Sequence, residues 1–371
     1  MWRQRIEREA EHFIDVSSWS VPDIARRISN DGIQVCVNLN GYTKGARNEI
    51  FALRPAPVQA SYMGFPATTG AEFLPYLIVD KVVAPPELHR CYSERLALMS
   101  HCYFVNDYRQ SHMDVLDDAS LPTRASVGLP EGVIVYACSN QLYKYDPRTF
   151  DCWMDILRAV PNSVLWLLRF PPAGEPRVRH EASRRGVDPS RIIFTDVAQK
   201  DVHIKRSALA DVFLDTPLCN AHTTGCDVLW AGCPMVTLPL ERMASRVAAS
   251  LCYAVGCPEM VVSSHEEYKD LAIQLGVDHG RRPALRDKLR RNRLNCPLFD
   301  TGEEGDGYGC ARVVWWGGVW SCRSPNTPVL PPLAASWVRE LECVFFGMWK
   351  IHCEGRGPRT FETGWRVQMP N

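Results

Sequence analysis

The chain has 371 residues, long enough for two ordinary domains. Hydrophobic residues make up 46% and charged residues 23%, near the soluble globular average, which excludes wholesale disorder, a collagen-like fibre and a small disulfide scaffold. Lys+Arg and Asp+Glu both number 42, so a net charge of zero gives no electrostatic argument for nucleic acid or an anionic membrane as a partner.

The chain opens on Met1-Trp2-Arg3-Gln4-Arg5, charged and without the apolar stretch of a secretory signal, and charged helical sequence runs from Glu7 to Phe13. A helix over 21–29 then leads to a strand over 33–39, a helix over 46–53, and strands over 58–63, 76–79 and 96–99. A polar stretch, 108–130, reads as an inter-domain connector. Beyond it strands over 133–138, 164–170, 191–194, 211–214 and 234–238 alternate with helices over 147–160, 175–185, 200–209, 224–230, 242–255 and 266–275. This alternation is that of βαβ units with parallel sheets. The run Val164-Leu165-Trp166-Leu167-Leu168, apolar throughout, suits a strand buried on both faces.

Arg281 to Arg293 carries seven basic residues around Asp287 and reads as the solvated face of a helix. Residues 302–335, rich in Gly, Pro and Trp, keep no helical or strand period and are expected to stand outside the fold as an insertion. An amphipathic helix follows over 336–352. The expected limits are a partial Rossmann-like domain over 1–107, the connector over 108–130, a complete Rossmann-like domain over 131–301, the insertion over 302–335, the helix over 336–353 and a tail over 354–371. The first domain lacks the strand–glycine loop–helix start of a Rossmann domain and reads as incomplete at its N-terminus. None of the fifteen cysteines forms a Cys-x-x-Cys pair or zinc spacing. Free thiols in a reducing compartment, cytosolic or nuclear, and no metal are the expectation.

Four clusters carry polar chemistry. His222-Thr223-Thr224-Gly225-Cys226-Asp227 follows a strand and opens a helix, where unpaired amides attract an anion and Asp227 stands within reach of a ribose hydroxyl. The same pattern also suits an ordinary threonine cap. Asn140-Gln141-Leu142-Tyr143-Lys144 follows the strand over 133–138, at the end of a sheet where α/β proteins bind ligands. Lys144 is there either a charge for a leaving phosphate or a surface lysine. In Ala198-Gln199-Lys200-Asp201-Val202-His203, the backbone can read a base and His203 stack on it, or His203 is a helix histidine. Asn40 to Arg47, with Lys44, lies at the expected inter-domain cleft or forms a solvated loop. No Gly-x-x-x-x-Gly-Lys-Ser/Thr loop, no Gly-x-Gly-x-x-Gly and no Asp-x-Asp at a strand end occurs. Two facing Rossmann-like domains with a nucleotide-diphosphate site suggest a GT-B glycosyltransferase.

Longer motifs sharpen this. Asn40-Gly41-Tyr42-Thr43-Lys44-Gly45-Ala46-Arg47-Asn48-Glu49, Leu53-Arg54-Pro55-Ala56-Pro57-Val58-Gln59, Gln141-Leu142-Tyr143-Lys144, Pro161 to Phe170 and Asp215-Thr216-Pro217-Leu218-Cys219-Asn220 continue into His222–Asp227. Together they resemble the catalytic region of the O-linked N-acetylglucosamine transferases of glycosyltransferase family 41, of the plant SECRET AGENT kind, over residues 9–301 and again from Ser336. The resemblance implies UDP-N-acetylglucosamine as donor, Ser/Thr hydroxyls of nuclear and cytosolic proteins as acceptors, inversion, and neither a metal nor another cofactor. It implies that Ala198, Lys200 and His203 hold the uracil and Asp227 the ribose. Thr223, Thr224 and Lys144 would bind the phosphates, and Gln141, Met63, Gly64, Lys44 and His222 would line the diphosphate and sugar region. The sibling protein O-fucosyltransferases of the SPINDLY kind, using GDP-fucose, and a UDP-binding inactive fragment are the alternatives. Tetratricopeptide repeats and a His-Pro-Thr-Ser-His motif of the family are absent from this sequence. No general base is therefore identified, His12 is read as structural, and transfer by this chain is expected to be weak or nil.

Overall fold

In the computed structural model of the protein the described residues are 2–301, 313–316, 319–322 and 336–363. The chain divides into two compact units, residues 1–105 with 301–371, and residues 106–300. The first unit begins with α1 (Trp2–Glu9), β1 (His12–Phe13), α2 (Val21–Asn30), β2 (Val35–Asn38), α3 (Glu49–Ala52), β3 (Val58–Ser61), β4 (Tyr76–Asp80) and β5 (Arg95–Met99). Strands β2, β3 and β4 are buried at every position, covered on both faces, with Gln59 and Ser61 of β3 buried among the apolar residues. They pair in parallel, with Val35 opposite Val58 and Ala60 opposite Tyr76. Helix α2 starts where the Ser20 hydroxyl accepts from the Asp23 amide at 3.3 Å, with Pro22 in its first turn. It buries Ile24, Ala25 and Ile28, and both isoleucines pack with Ile33, Cys36, Phe51 and Leu74. Two expectations shorten here: the charged helix stops at Glu9 and gives way to a strand, and the helix expected over 46–53 is the single turn α3.

The second unit holds α4 (Tyr108–Ser111), β6 (Ile134–Cys138), α5 (Pro147–Ala159), β7 (Ser163–Leu168), α6 (Glu175–Arg184), β8 (Ile192–Thr195), α7 (Lys200–Ser207), β9 (Val212–Leu214), α8 (Thr223–Trp230), β10 (Met235–Val236), α9 (Val247–Ala254), α10 (His265–Val277) and α11 (Arg281–Asn292). Its five strands run in the order β10-β9-β6-β7-β8, all parallel. The stretch expected to be a connector is part of this unit. Tyr108 is buried, and Arg124 donates to the carbonyls of Leu209 and Val133 and to Asp211 at 2.7–3.2 Å. The basic run of α11 is a solvated face only in part: Arg281 and Arg291 are exposed, and other arginines turn inward. Leu285 and Leu289 point inward, and Arg282, Arg286 and Arg293 donate to the carbonyls of Leu275, Ala208 and Trp230. Those carbonyls lie at the C-terminal ends of α10, α7 and α8, where an α-helix leaves its last acceptors unpaired.

The chain then rejoins the first unit through β11 (Val313–Trp316), β12 (Val319–Cys322), α12 (Ser336–Cys353) and β13 (Phe361–Glu362). The sheet there has eight strands, ordered β1-β11-β12-β2-β3-β4-β5-β13, with β12 antiparallel to β2 and β13 parallel to β5. The expectation that 302–335 stand outside the fold is thus corrected at β11 and β12; a two-strand ribbon four residues long per strand is too short to show a period. The rest of that segment lies outside the described residues. Helix α12 packs on β3 and β5 and buries Val344, Met348 and Ile351. Among the described residues no helix is long and apolar enough to cross a membrane.

Trp337 at the start of α12 is 9% exposed, and its indole N–H donates to the Cys102 carbonyl at 3.1 Å. Replacing Trp337 with alanine removes this bond and leaves a cavity under the sheet, at a cost of about 3–5 kcal/mol. Urea unfolding should show that loss, and Trp337→Phe should recover most of it. Equal stability of the alanine variant and the parent would refute the packing role.

Candidate active site

The first part of the candidate site grows from two adjacent parallel strands. Strands β6 and β9 pair with Tyr136 opposite Val212, so the turns beyond their carboxyl ends are neighbours. After β9 the chain runs through Asp215 to Ala221 and enters α8. Asp215 is fully buried, with one carboxylate oxygen accepting from the Ala221 amide at 2.7 Å and the other from the Thr237 hydroxyl at 2.7 Å. Asn140, also buried, donates to the Thr216 hydroxyl at 2.7 Å. The Asn220 amide donates to the Thr216 carbonyl at 3.0 Å, and its oxygen accepts from the Ala248 amide at 3.2 Å. The loop is therefore tied at both ends, and its Asn220 carbonyl accepts from Lys144 Nζ at 3.0 Å. Lys144 reaches it from the 3₁₀ turn Leu142–Lys144 that follows β6.

At the start of α8 the cap residue, His222, makes no side-chain bond to the first-turn amides. Those of Thr223 and Thr224 stand at a helix N-terminus, the place where backbone donors and the helix dipole favour an anion. The His222 imidazole instead donates through Nε2 to the Ala244 carbonyl at 3.0 Å. Burial, with help from Lys144, pushes its pKa down to about 4 although the Ala244 bond opposes the shift. The ring is neutral at neutral pH.

A second polar cluster lies one turn further, where α7 packs on α8. Asp227, 5% exposed, accepts from the Tyr108 hydroxyl at 2.6 Å through Oδ1, and its Oδ2 stands 3.7 Å from His203 Nε2. The buried Arg206 donates to His203 Nδ1 at 3.4 Å and to the Asp196 carbonyl at 2.8 Å, so the neutral imidazole carries its proton on Nε2. Burial lowers the His203 pKa to about 4 and raises that of Asp227 to about 6, the Tyr108 bond and Lys200 opposing the second shift. Lys200 sits over the Tyr108 ring at 4.7 Å and pairs with Asp107 at 3.3 Å.

The second unit thus brings Lys144 to the loop before His222, Thr223 and Thr224, and His203 to Asp227. Gln141 is half-buried and accepts the Lys144 amide at 3.0 Å; Ala198 is half-buried on the segment between β8 and α7. Lys44, Met63 and Gly64 belong to the first unit. Lys44 is exposed on a loop pinned by Asn38, which accepts from the Asn40 and Gly41 amides at 2.9 Å. Arg47, expected beside it in the cleft, donates to the carbonyls of Val16 and Trp19 instead. Met63 takes a left-handed φ of 61°, and a Cβ on Gly64 would stand 1.7 Å from the Leu39 carbonyl oxygen, so only glycine fits there. Sequence reasoning missed Tyr108, Arg206 and Asp215. Asp215 alone left a signal, as a carboxylate directly after a buried strand.

The four buried titrating groups oppose one another. Asp215 and Asp227 titrate near pH 6 in the folded chain and near 4 when unfolded, so their stabilising contribution is full at low pH and is lost as pH rises through 6. His203 and His222 titrate near 4 folded and near 6.5 unfolded, so their penalty disappears over the same rise. Asp227→Asn should make stability climb more steeply between pH 4 and 6.5, by about 3 kcal/mol across the window, whereas His203→Gln should flatten or reverse the climb. Urea midpoints measured over that range would show it; parallel profiles for all three proteins would refute it.

A model of glycosyl transferase family 41 matches residues 1–120 and 111–305. The chain is 53% identical over 362 residues to an Arabidopsis thaliana protein named probable UDP-N-acetylglucosamine–peptide N-acetylglucosaminyltransferase SEC, covering 97% of this chain and 34% of that one. A Petunia hybrida protein with the same activity in its name, SPINDLY, is 26% identical over 362 residues, covering 96% and 34%. Among solved structures, a mutant O-GlcNAc transferase of Thermobaculum terrenum superposes with a TM-score of 0.77 at 26% identity, covering 95% of this chain and 60% of that one. The chain spans about a third of the length of the curated relatives it matches. With its GT-B class of α/β fold and a family match along most of its length, the chain belongs to glycosyl transferase family 41.

Proposed function

We propose that this chain serves the transfer of N-acetylglucosamine from UDP-N-acetylglucosamine to Ser/Thr hydroxyls of proteins, with nuclear and cytosolic proteins as acceptors. What carries the reading is the placement of Lys144, held on the Asn220 carbonyl two residues before His222 and the open N-terminus of α8. A diphosphate lying there meets an ammonium and two backbone amides. In the transfer, the acceptor oxygen forms its bond to the anomeric carbon and gives up its hydroxyl proton to water, while the bond from that carbon to the phosphate oxygen breaks. The electron pair leaves with UDP, and Lys144, Thr223 and Thr224 stabilise the charge that develops there. Gln141 and His222 belong to the same phosphate region. Ala198, Lys200 and His203 take the uracil, and Asp227 accepts from a ribose hydroxyl through Oδ2.

The preference for a UDP sugar over GDP-fucose rests on the His222–Asp227 motif and on both relatives being named for a UDP-N-acetylglucosamine donor. UDP should raise the melting temperature, since ligand at about 100 times its dissociation constant contributes roughly 2.7 kcal/mol. Lys144→Ala and Asp227→Ala should each reduce that gain, and GDP should give little. A folded sample whose melting is unmoved by millimolar UDP would sink the donor assignment.

Transfer itself is tested with labelled N-acetylglucosamine and a Ser/Thr peptide, using this chain and one joined to the relatives' N-terminal region. Lys144→Ala should lower the rate about 100-fold or more, because leaving-group stabilisation is spent in the transition state. No incorporation by either protein, or incorporation from GDP-fucose in place of the UDP sugar, would overturn the reading.

A further inference from the structure

The chain enters the second unit on Asp107-Tyr108, and both side chains meet groups of the nucleoside side. Tyr108 is 1% exposed and walled by His112, Trp230 and Phe299, whose rings lie 5.8, 6.2 and 5.9 Å from its own. A ring so enclosed has one direction for its hydroxyl. That hydroxyl meets Asp227 Oδ1 at 2.6 Å and the Thr223 carbonyl at 3.3 Å, spanning the first turn of α8. Asp107 pairs with Lys200, whose ammonium lies against the other side of the tyrosine.

The consequence for Asp227 is an asymmetric carboxylate. Oδ1 is occupied by the phenol at a distance typical of a charge-assisted hydrogen bond. Oδ2, 3.7 Å from His203 Nε2, is beyond hydrogen-bond reach of the imidazole and remains the oxygen able to accept from a ligand hydroxyl. Without the phenol the carboxylate can rotate toward His203 or present either oxygen, and its buried Oδ1 loses a donor.

We propose that Tyr108 is a positioning residue for the donor nucleotide: by holding Asp227 Oδ1 it directs Oδ2 at the ribose hydroxyls and so sets affinity for the nucleoside. This rests on the assignment of Asp227 to the ribose made above. Tyr108 touches no reacting atom in it. A purely structural tyrosine would stabilise the fold and affect every ligand of the site alike, whereas a positioning tyrosine acts only on ligands that carry ribose hydroxyls.

Calorimetric titration of the chain and of Tyr108→Phe with UDP and with 2′,3′-dideoxy-UDP separates the two. Expected is a loss of about 10-fold in UDP affinity for Tyr108→Phe, with dideoxy-UDP binding both proteins equally within about 2-fold. Tyr108→His, which keeps a ring donor, should fall between the two for UDP and show the same ligand split; it serves as the second arm if the phenylalanine variant does not fold. Equal weakening of both ligands in either variant, or no weakening of UDP, overturns the proposal. If the parent binds UDP and dideoxy-UDP equally, Asp227 does not hold the ribose and the proposal fails while the donor assignment stands. If the parent binds neither, the donor assignment fails and the proposal with it.

Discussion

Asp215 of the second unit is a carboxylate taken wholly out of water, and both of its oxygens are hydrogen-bonded. Its partners come from the end of the following loop and from Thr237, just beyond β10, so satisfying one side chain joins two neighbouring strand ends. Burial still pushes its pKa up to about 6 against these hydrogen bonds. The Tyr268 hydroxyl donates to the Asp215 carbonyl at 2.8 Å and itself accepts from the Trp153 indole at 3.2 Å, carrying the tie into α10 and α5. The start of α8 is thereby fixed against the end of β6, and with it the distance between the Lys144 ammonium and the helix amides.

Satisfaction of buried backbone acceptors organises the other end of the same unit. Arg282 and Arg286 of α11 and Arg293 just beyond it spend guanidinium donors on the terminal carbonyls of three helices, a use for which the planar, always-charged fork is well suited. Beside α8 the imidazoles of His203 and His222 are kept neutral by burial, so positive character at the start of α8 comes from Lys144 and the helix dipole. A neutral His203 brings no charge into its buried surroundings.

Much of this was readable before any coordinates. Fully apolar runs such as Val164–Leu168 announced the central strands, because a strand covered on both faces has no polar alternation to obscure it. Thr223-Thr224 after a strand announced the helix start. What could not be read depends on pairings far apart in the chain. Tyr108 and Asp227 are 119 positions apart, and nothing local distinguishes that tyrosine from any other in a polar stretch. Arg281–Arg293 looked like a solvated run because composition shows charge but not the carbonyls that consume it. Strands β11 and β12 escaped notice since a Gly- and Trp-rich segment borrows its regularity from β2, to which it pairs.

The route of the chain also governs the order in which the protein can be built. The second unit is one continuous stretch, 106–300, whose parallel strands close over short crossovers. The first is discontinuous: Trp337 meets Cys102 across 235 positions, and Thr363 meets Leu98 across 265. On a ribosome the second unit emerges whole and can fold while the faces later covered by α12 and β13 still wait for their partners. During that interval the edge of β5 and the apolar surface of β3–β5 are open, and the span of the missing contacts makes their closure entropically slow. Synthesis therefore leaves the earlier half as the later one to finish, and it is there that a chaperone would have most to hold.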